Sequence, residues 1–370
     1  MNLSWVNVSD LHLKLNEKYG KPDKDGINTR LKKKLSAINE AVNFALDKKV
    51  NFFFISGDVF DRINPPEALR RLFIESVYPI INSNIHLVIL AGNHDTNGKE
   101  YSLSSEGYST MFTLVKTPKM ITEVNGNLSI SDLDSSPGEK IALLPYMTSY
   151  SEYKDIECDV LIGHLHVEGA TWGTSQLIPG NPLSLNNIPK AKYYELGHIH
   201  GHQWIKNNIQ YVGSLVKEDF GEIDERKGFV YTEYTNGEVN TSFIEVFDNM
   251  FFIIKVDKDH DDISYYNLSE IMEGDIVKIV PFGSKEWIQS SITAISLKKM
   301  LLEKGAGFVS IEPVVEADTN ISLESVYSIG DELKSPSIED EICQYVKDKN
   351  NISMKETGIE IFNKVKSLQA

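Results

Sequence analysis

Five short polar clusters along the chain contain Asp, Asn and His residues that could act at one site. They are Asp10-Leu11-His12, Gly57-Asp58-Val59-Phe60-Asp61, Gly92-Asn93-His94-Asp95, Gly163-His164 and Gly197-His198-Ile199-His200. Their carboxylate, amide and imidazole groups, without a thiolate, suit Mn²⁺, Fe²⁺ or Zn²⁺. These ligands are too many for one metal ion. The clusters therefore predict two divalent metal ions, roughly 3.5–4 Å apart.

Each cluster alone has a simpler interpretation. A single Asp after a strand is usually a turn or helix-cap residue, because its short side chain bonds to nearby backbone N–H groups. A single His is usually a surface residue or a hydrogen-bonded core residue. Five clusters in order, each after an apolar run and each with suitable ligand types, are not expected by chance. We therefore interpret them together as one site.

The first three clusters follow segments with an alternating strand and helix pattern. Residues 3–9, 50–56 and 85–91 are apolar runs typical of strands that are buried on both faces. Residues 28–48 have apolar side chains at helical spacing, and Pro65-Pro66 opens a second helix that continues to about residue 82. This order predicts a parallel sheet. The clusters would then lie at the carboxyl ends of its strands, where sites of α/β proteins form.

The rest of the chain predicts a second sheet and two further segments. After residue 98, shorter strands without intervening helices indicate a mixed sheet packed on the first; they lie near Met120, Leu128, Ile141, Val160, Tyr193, Ile209 and Phe229. Residues 251–316 have a small α+β pattern. From about residue 335 the pattern is helical, with one apolar stripe made by Ile361, Phe362, Val365 and Leu368. The predicted domains are 1–248, 249–333 and 334–370.

Composition argues against several classes of protein. The chain of 370 residues is 41% apolar, and no apolar run is long enough to span a membrane, so no membrane partner is expected. The first eight residues enter a strand pattern and lack the features of a signal peptide. The only cysteines, Cys158 and Cys343, form neither a disulfide framework nor a CxxC metal site. A reducing, cytoplasmic setting fits best.

The net charge is −16, from 37 basic and 53 acidic residues. A protein that binds DNA phosphates usually presents a basic surface, so this charge argues against tight DNA binding by the chain alone. Bound divalent cations or a basic partner subunit would offset it.

The five clusters, in this order, resemble the calcineurin-like metallophosphoesterase superfamily over about residues 1–245. Within it the chain is most similar to the SbcD-type nucleases, which are relatives of the double-strand-break repair nuclease of meiotic recombination. Three segments carry this closer resemblance: GDVFD followed by Pro65-Pro66, GHIH followed by Gln203, and Tyr211-Val212-Gly213-Ser214-Leu215 followed by Phe220-Gly221-Glu222. The resemblance implies an α/β (α+β) fold: a four-layer α/β/β/α metallophosphoesterase sandwich with a small C-terminal α+β cap domain and a helical tail.

The resemblance also implies a role for each matching residue. One metal would be held by Asp10, His12, Asp58 and His200, and the other by Asn93, His164 and His198, with Asp58 as the bridging ligand. His94 would contact the scissile phosphate and help the leaving group. Asp95 would orient His94 by accepting a hydrogen bond from it.

Four other polar residues near the clusters have less defined expectations. His166 and His202 do not match ligand positions and are interpreted as rim residues that meet substrate. Asp61 occupies a position where some relatives carry a histidine, which leaves a catalytic role there open. Arg62 could face the substrate, but a solvated side chain is the simpler interpretation.

The implied activity is Mn²⁺-dependent hydrolysis of DNA phosphodiester bonds in repair, recombination or replication. The chain would act as an exonuclease on double-stranded ends and as an endonuclease on single strands. A water activated by two metal ions would attack phosphorus in line, without a covalent enzyme intermediate. The implied partner is an SMC-like ATPase subunit, with the tail as a candidate docking helix, although packing of the tail on its own domain is an equal alternative. A homodimer is left open.

Two alternatives remain. The same chemistry would suit a small-molecule or cyclic-nucleotide phosphodiesterase or a phosphatase. Protein phosphatases of the superfamily, however, carry GNHE and a DRG triplet where this chain has Asn93-His94-Asp95 and Asp61-Arg62-Ile63. A non-catalytic scaffold is the other alternative, but scaffolds lose ligands and here every ligand position is filled.

Overall fold

The structure is a computed structural model that describes residues 1–316 except 104–109, 125, 148, 173–175 and 178–181. The predicted tail at 334–370 and the last part of the predicted cap domain lie outside the described residues. The first half of the strands, in chain order, is β1 (Asn2–Val8), β2 (Phe52–Ser56), β3 (His86–Leu90), β4 (Thr113–Val115), β5 (Lys119–Val124), β6 (Asn127–Asp132), β7 (Ile141–Leu144), β8 (Glu157–His164), β9 (Thr171–Trp172) and β10 (Gln176–Leu177). The second half is β11 (Lys190–Gly197), β12 (Gln203–Lys206), β13 (Ile209–Tyr211), β14 (Gly228–Thr235), β15 (Glu238–Glu245), β16 (Phe251–Val256), β17 (Ile276–Gly283), β18 (Phe308–Ile311) and β19 (Val314–Val315).

The described α-helices are α1 (Thr29–Lys48), α2 (Glu67–Ile81), α3 (Lys285–Ser290) and α4 (Thr293–Glu303). Helix α1 begins where the sequence predicts, because the Asn28 side chain accepts hydrogen bonds from the backbone N–H groups of Arg30 and Leu31. Each helix in the described part of the chain is too short or too polar to cross a membrane.

The first sheet contains the predicted parallel strands. Its order is β15-β14-β1-β2-β3-β4, with β1 to β4 parallel and β14 and β15 antiparallel at one side. Strand β2 is apolar at nearly every position because both of its faces are buried. Phe53 and Ile55 pack with α1 and α2 on one face, whereas Phe52 and Phe54 pack against the second sheet on the other. Successive side chains of a strand point to opposite faces, so a strand between two layers needs apolar residues at every position.

The second sheet is mixed, as predicted, with the order β12-β13-β11-β8-β7-β5-β6. Val160 and Ile162 of β8 face the first sheet, and Leu161 faces outward. In the described residues, the outward face is covered by loops and by 3-10 helices at Ser151–Tyr153 and Leu185–Asn187. The α/β fold class is confirmed, with an outer layer of 3-10 turns on this side.

A third sheet follows residue 250. Strands β16, β17 and β18 are parallel neighbours, and β19 pairs with the end of β17. The predicted single helix near 284–303 is divided into α3 and α4. The division occurs because Ser291 is extended and its hydroxyl accepts a hydrogen bond from the N–H of Thr293. The predicted short helix after β16 consists of 3-10 helices at Lys258–His260 and Ile263–Tyr265.

Candidate metal centre

The five ligand clusters converge at the carboxyl ends of strands from the first two sheets. Asp10 and His12 follow β1, Asp58 follows β2 and Asn93 follows β3, all in the first sheet. His164 ends β8, and His198 and His200 follow β11, both in the second sheet. The described residues contain three groups whose possible ligand atoms all lie within 4.8 Å of one another. Two of them are considered as metal positions: Asp10, His12 and His200, and Asp58, His164 and His198. The third joins His12 to Asp61 and the exposed His94. The sheets thus bring together residues that are far apart in sequence.

The first group is built around two histidines. The Nε2 atoms of His12 and His200 lie 3.1 Å apart, and Asp10 Oδ1 lies 4.0 Å from His12 Nε2. His200 Nδ1 lies 2.8 Å from a carboxylate oxygen of Glu222. A carboxylate only accepts, so Nδ1 of His200 donates and Nε2 is the ring atom that could bind a cation after losing its proton.

The second group has three electron-pair donors in close contact. Asn93 Oδ1 lies 2.9 Å from both His164 Nε2 and His198 Nδ1, and these two nitrogens are 3.3 Å apart. His164 Nδ1 lies 2.7 Å from the Ser56 carbonyl, which can only accept. His164 therefore directs Nε2 at the Asn93 oxygen, and because the pKa of this ring is raised, Nε2 carries a proton that it donates to Oδ1. Once that proton is lost, the amide oxygen and the two imidazole nitrogens are all electron-pair donors, a set that fits a divalent metal.

Asp58 lies between the two groups. Its Oδ2 is 3.5 Å from His12 Nε2 and 3.4 Å from His164 Nε2. Its Oδ1 accepts a hydrogen bond of 2.8 Å from the backbone N–H of His94. This position suits the bridging role that the resemblance implies for Asp58.

The backbone around the centre is strained. Asp10, His12, Asp58 and His198 all have positive φ, at 53°, 40°, 53° and 94°. Such conformations cost about 1–3 kcal/mol each and persist where the surrounding structure imposes them, frequently at functional sites. Glycines allow the loops to approach: a Cβ at Gly57 would lie 2.1 Å from His164 Nδ1, and one at Gly92 would lie 2.1 Å from Asp58 Oδ1.

The ligand histidines divide into two electrostatic classes. Burial lowers the pKa of His12 well below its ordinary value and lowers the pKa of His198 to about 3. For His164 burial acts in the same direction, but the Asp58 carboxylate outweighs it and raises the pKa to about 9. For His200 burial is again the largest single effect, but the hydrogen bond to Glu222 and the charges of Glu222 and Asp10 together outweigh it and raise the pKa to about 9. A metal must displace these protons, so metal binding is coupled to proton release.

Two buried charged residues support the first group and were not identified from the sequence. Glu222 is 6% exposed and bonds both His200 and Lys227. Lys34 is 3% exposed, and its ammonium donates to the His12 carbonyl at 2.8 Å. Lys34 belongs to a run of three lysines and Glu222 precedes further acidic residues. Both segments look like solvated surface, so neither pattern indicates that these side chains are buried.

The predicted role of Asp95 is wrong. Its carboxylate is 3% exposed and accepts hydrogen bonds from the backbone N–H groups of Val59, Phe60 and Gly92 and from the hydroxyl of Ser102. His94 instead donates from Nδ1 to the Asp61 carbonyl at 3.1 Å. Asp95 therefore joins the loops after β2 and β3 and does not orient His94. Burial, followed by the charge of Asp58, raises the pKa of Asp95 to about 6.

The remaining predicted residues differ in position. His94 is exposed, and its ring centre lies 4.8 Å from that of His12. The half-buried His166 ring lies 5.8 Å from His198, which suits a rim residue. His202 is turned into the fold, because its ring stacks on Phe243 at 3.8 Å and its Nδ1 donates to the Tyr211 carbonyl. Arg62 is exposed, as the solvated interpretation expects.

Comparison with known proteins gives one family match. The profile of the calcineurin-like phosphoesterase family matches residues 6–204, a range that contains all five ligand clusters. The SbcD subunit of the nuclease SbcCD from Escherichia coli strain K12 is 25% identical over 239 residues, which cover 52% of this chain and 57% of that protein. The protein of the same name from Staphylococcus epidermidis is 24% identical over 280 residues, covering 65% of this chain and 68% of that protein.

A third relative comes from an archaeon. DNA double-strand break repair protein Mre11 of Methanocaldococcus jannaschii is 23% identical over 257 residues, which cover 66% of each protein. The chain thus matches between 57% and 68% of the length of these three relatives.

Proposed function

The chain belongs to the calcineurin-like phosphoesterase family, and on that premise we propose that it is a Mn²⁺-dependent nuclease that hydrolyses DNA phosphodiester bonds with two metal ions. The observation that carries this proposal is the close packing of carboxylate, amide and imidazole ligand atoms in two groups that share Asp58. Asn93 Oδ1 and His164 Nε2 lie 2.9 Å apart in one group, and Asp58 Oδ2 lies 3.5 Å from His12 Nε2 in the other. We propose that each group holds one divalent cation.

The proposed metals supply part of the chemistry. When bound, two divalent cations lower the pKa of an attacking water and neutralise charge on the phosphate oxygens. Asp10, His12 and His200 would hold one cation, Asn93, His164 and His198 the other, and Asp58 would contact both. These ligands come from the ends of buried strands, so the protein fixes their positions before substrate binds.

His94 is the proposed catalytic residue outside the ligand set. Its Nδ1–H donates to the Asp61 carbonyl, which fixes the tautomer and leaves Nε2 available. The ring is exposed beside His12, so Nε2 can reach a phosphate or the departing 3′ oxygen at this face. No side chain among the ligand clusters is a nucleophile of the Ser or Cys type, which supports direct attack by water rather than a covalent intermediate.

DNA is the proposed substrate because the three relatives are named as nuclease subunits or as a double-strand break repair protein. Two of these names describe one subunit of a larger nuclease, which supports a partner subunit for this chain. We propose an SMC-like ATPase in that role. The net charge of this chain is −16, which is unfavourable for binding DNA phosphates. The partner subunit would supply the basic surface that DNA binding needs.

The proposed activity is tested by supplying the purified chain with Mn²⁺ and three substrates: linear duplex DNA, single-stranded DNA circles and a chromogenic phosphodiester. We expect cleavage of both DNA substrates. His94→Gln should lose roughly 10²-fold or more of the DNA activity, because it removes a group that acts on the phosphate, and it should still bind Mn²⁺.

The matched control is His86→Gln. His86 is exposed at the start of β3, whereas His94 follows the end of the same strand. This variant should cleave DNA at the wild-type rate. Turnover of the chromogenic diester without cleavage of either DNA would contradict the nuclease proposal and favour a small-molecule diesterase.

A further inference from the structure

The two halves of the candidate centre are held in place by different kinds of contact. On the side of Asn93, His164 and His198 the anchors are acceptors at the ends of strands β2 and β1. His164 donates to the Ser56 carbonyl at 2.7 Å, and the His198 backbone N–H donates to the Asp10 carboxylate at 3.0 Å. These anchors lie at the ends of buried strands and cannot move without the sheets.

On the other side the His12 N–H donates to the Asp58 carbonyl at 3.0 Å and the His200 carbonyl accepts from the Ser214 N–H at 2.9 Å, and long charged side chains add further anchors. Glu222 accepts from His200 Nδ1 at 2.8 Å, and Lys34 donates to the His12 carbonyl at 2.8 Å. Lys34 also contacts Glu17 at 2.9 Å and Glu218 at 2.6 Å. The position of His12 and His200 therefore depends on two loop segments, one around Glu17 and one from Glu218 to Glu222.

Both loop segments are attached to the third sheet through one aromatic cluster, which we define as Tyr19, Phe220, Phe251 and Phe308. Tyr19 lies two residues after Glu17, and Phe220 lies two residues before Glu222. The ring centre of Tyr19 lies 5.4 Å from Phe220, 5.5 Å from Phe251 and 5.4 Å from Phe308. Phe220 lies 5.0 Å from Phe251. Phe251 and Phe308 begin β16 and β18 of the third sheet.

The arrangement of these rings is specific. All four pairs meet edge to face, at interplanar angles of 72° to 89°. Aromatic pairs of this kind are favourable only in particular orientations. The third sheet therefore buries both loop segments and also fixes where their aromatic rings lie. Beyond the short 3-10 helix at Phe220–Glu222, the segment from Glu218 to Lys227 has no regular structure that could fix it.

We propose that the third sheet sets the metal affinity of the position formed by Asp10, His12 and His200, and that Glu222 and Lys34 are the positioning residues through which it acts. The position formed by Asn93, His164 and His198 is independent of the third sheet. This inference rests on the proposed two-metal function. Residues 251–315 would thus control the affinity of the protein for one of the two metal ions.

The experiment is a Mn²⁺ titration of the chelator-treated full chain by calorimetry, with thermal melting recorded for each variant. The wild-type chain should show two binding events. Glu222→Gln keeps an acceptor for His200 but loses the negative charge. This variant should weaken the Mn²⁺ affinity of one binding event roughly 10- to 100-fold, the usual effect of losing a carboxylate that hydrogen-bonds a ligand histidine. The affinity of the second binding event should not change. Glu222→Asp keeps the charge and should recover part of the affinity.

A second variant tests the aromatic cluster at a distance from the ligands. Phe308→Leu keeps an apolar side chain but removes the ring that contacts Tyr19, and it should weaken the same binding event in the same direction. Trp287→Leu is the matched control, because the partly buried Trp287 packs against the core of the third sheet and is not part of the aromatic cluster. It should leave both binding events unchanged.

The outcomes separate this inference from the proposed function. A wild-type chain that binds no Mn²⁺ would contradict the two-metal function itself. A wild-type chain with two events, together with a Glu222→Gln variant that keeps both affinities or weakens both equally, would overturn the inference alone. If the Glu222 and Phe308 variants melt at a lower temperature but keep both Mn²⁺ affinities, Glu222 and the aromatic cluster only stabilise the fold, and the inference is overturned.

Discussion

The Nε2 atoms of His12 and His200 face each other at 3.1 Å, although the two residues are 188 positions apart in sequence. His200 donates the hydrogen on its Nδ1 to Glu222, and because its pKa is raised it also carries a proton on Nε2 at this contact. A contact of this kind is favourable when a proton or a cation is shared between the two nitrogens. The proposed cation would replace that proton, and the expected effects of the substitutions below depend on that proposal.

Removal of the bridging carboxylate should affect both metals. Asp58→Ala takes away the oxygen that lies 3.5 Å from His12 and 3.4 Å from His164. Elemental analysis after dialysis against Mn²⁺ should show reduced metal content at both positions. The control is Asp132→Ala, whose side chain is 88% exposed on β6; it should retain full content. Full occupancy of both positions in Asp58→Ala would show that the ligand assignment is wrong.

Metal affinity should rise with pH up to about 9. The pKa values of His164 and His200 are both raised to about 9, by Asp58 and by Glu222 respectively, so below that pH each ring carries a proton that a metal must displace. The affinity should increase roughly tenfold per pH unit for each such histidine. Calorimetry in buffers of different ionisation enthalpy should detect proton release at pH 7. Binding without proton release would contradict this assignment of the protonated rings.

Gly92→Ala should disrupt the centre without changing any ligand. The added Cβ would lie 2.1 Å from Asp58 Oδ1 and 2.3 Å from the Asp58 backbone nitrogen, so the loop after β2 must shift. We expect loss of most Mn²⁺ binding in the titration. Gly26→Ala is the control, because its Cβ meets nothing within 4 Å; the positive φ there costs roughly 1–2 kcal/mol of stability but should leave metal binding intact. Normal metal binding by Gly92→Ala would contradict the described approach of the two loops.

A buried carboxyl between the sheets should make stability depend on pH. Glu195 is 0% exposed and accepts hydrogen bonds from Trp5, Asn7 and Thr232. Burial raises its pKa to about 7, from an ordinary value of 4.5. The folded state therefore binds this proton more tightly than the unfolded state, and the contribution to stability is lost as the pH rises from about 4.5 to 7.

Glu195→Gln removes that pH dependence, because an amide does not ionise. Urea unfolding of chelator-treated protein should show that the variant gains roughly 2–3 kcal/mol relative to wild type between pH 4.5 and pH 8. An equal difference between the two proteins at both pH values would mean that Glu195 is not protonated in the folded state.

The fold and the convergence of the polar clusters at the strand ends were predictable because they follow from local rules. Strand β2 is apolar at nearly every position since it lies between two layers, and a ligand cluster directly follows it. The supporting contacts were not predictable, because Lys34 contacts His12 and Glu222 contacts His200, each 22 residues away in sequence. The role of Asp95 was wrongly predicted for the same reason: its neighbour in sequence, His94, is not its partner in space. The break between α3 and α4 depends on one serine turn that periodicity does not detect.

The most direct test of the two-metal centre is anomalous diffraction at the manganese edge from crystals grown with Mn²⁺. We expect two peaks roughly 3.5–4 Å apart, one among Asp10, His12 and His200 and the other among Asn93, His164 and His198, with Asp58 between them. A single peak, or peaks away from these residues at saturating Mn²⁺, would contradict the two-metal centre.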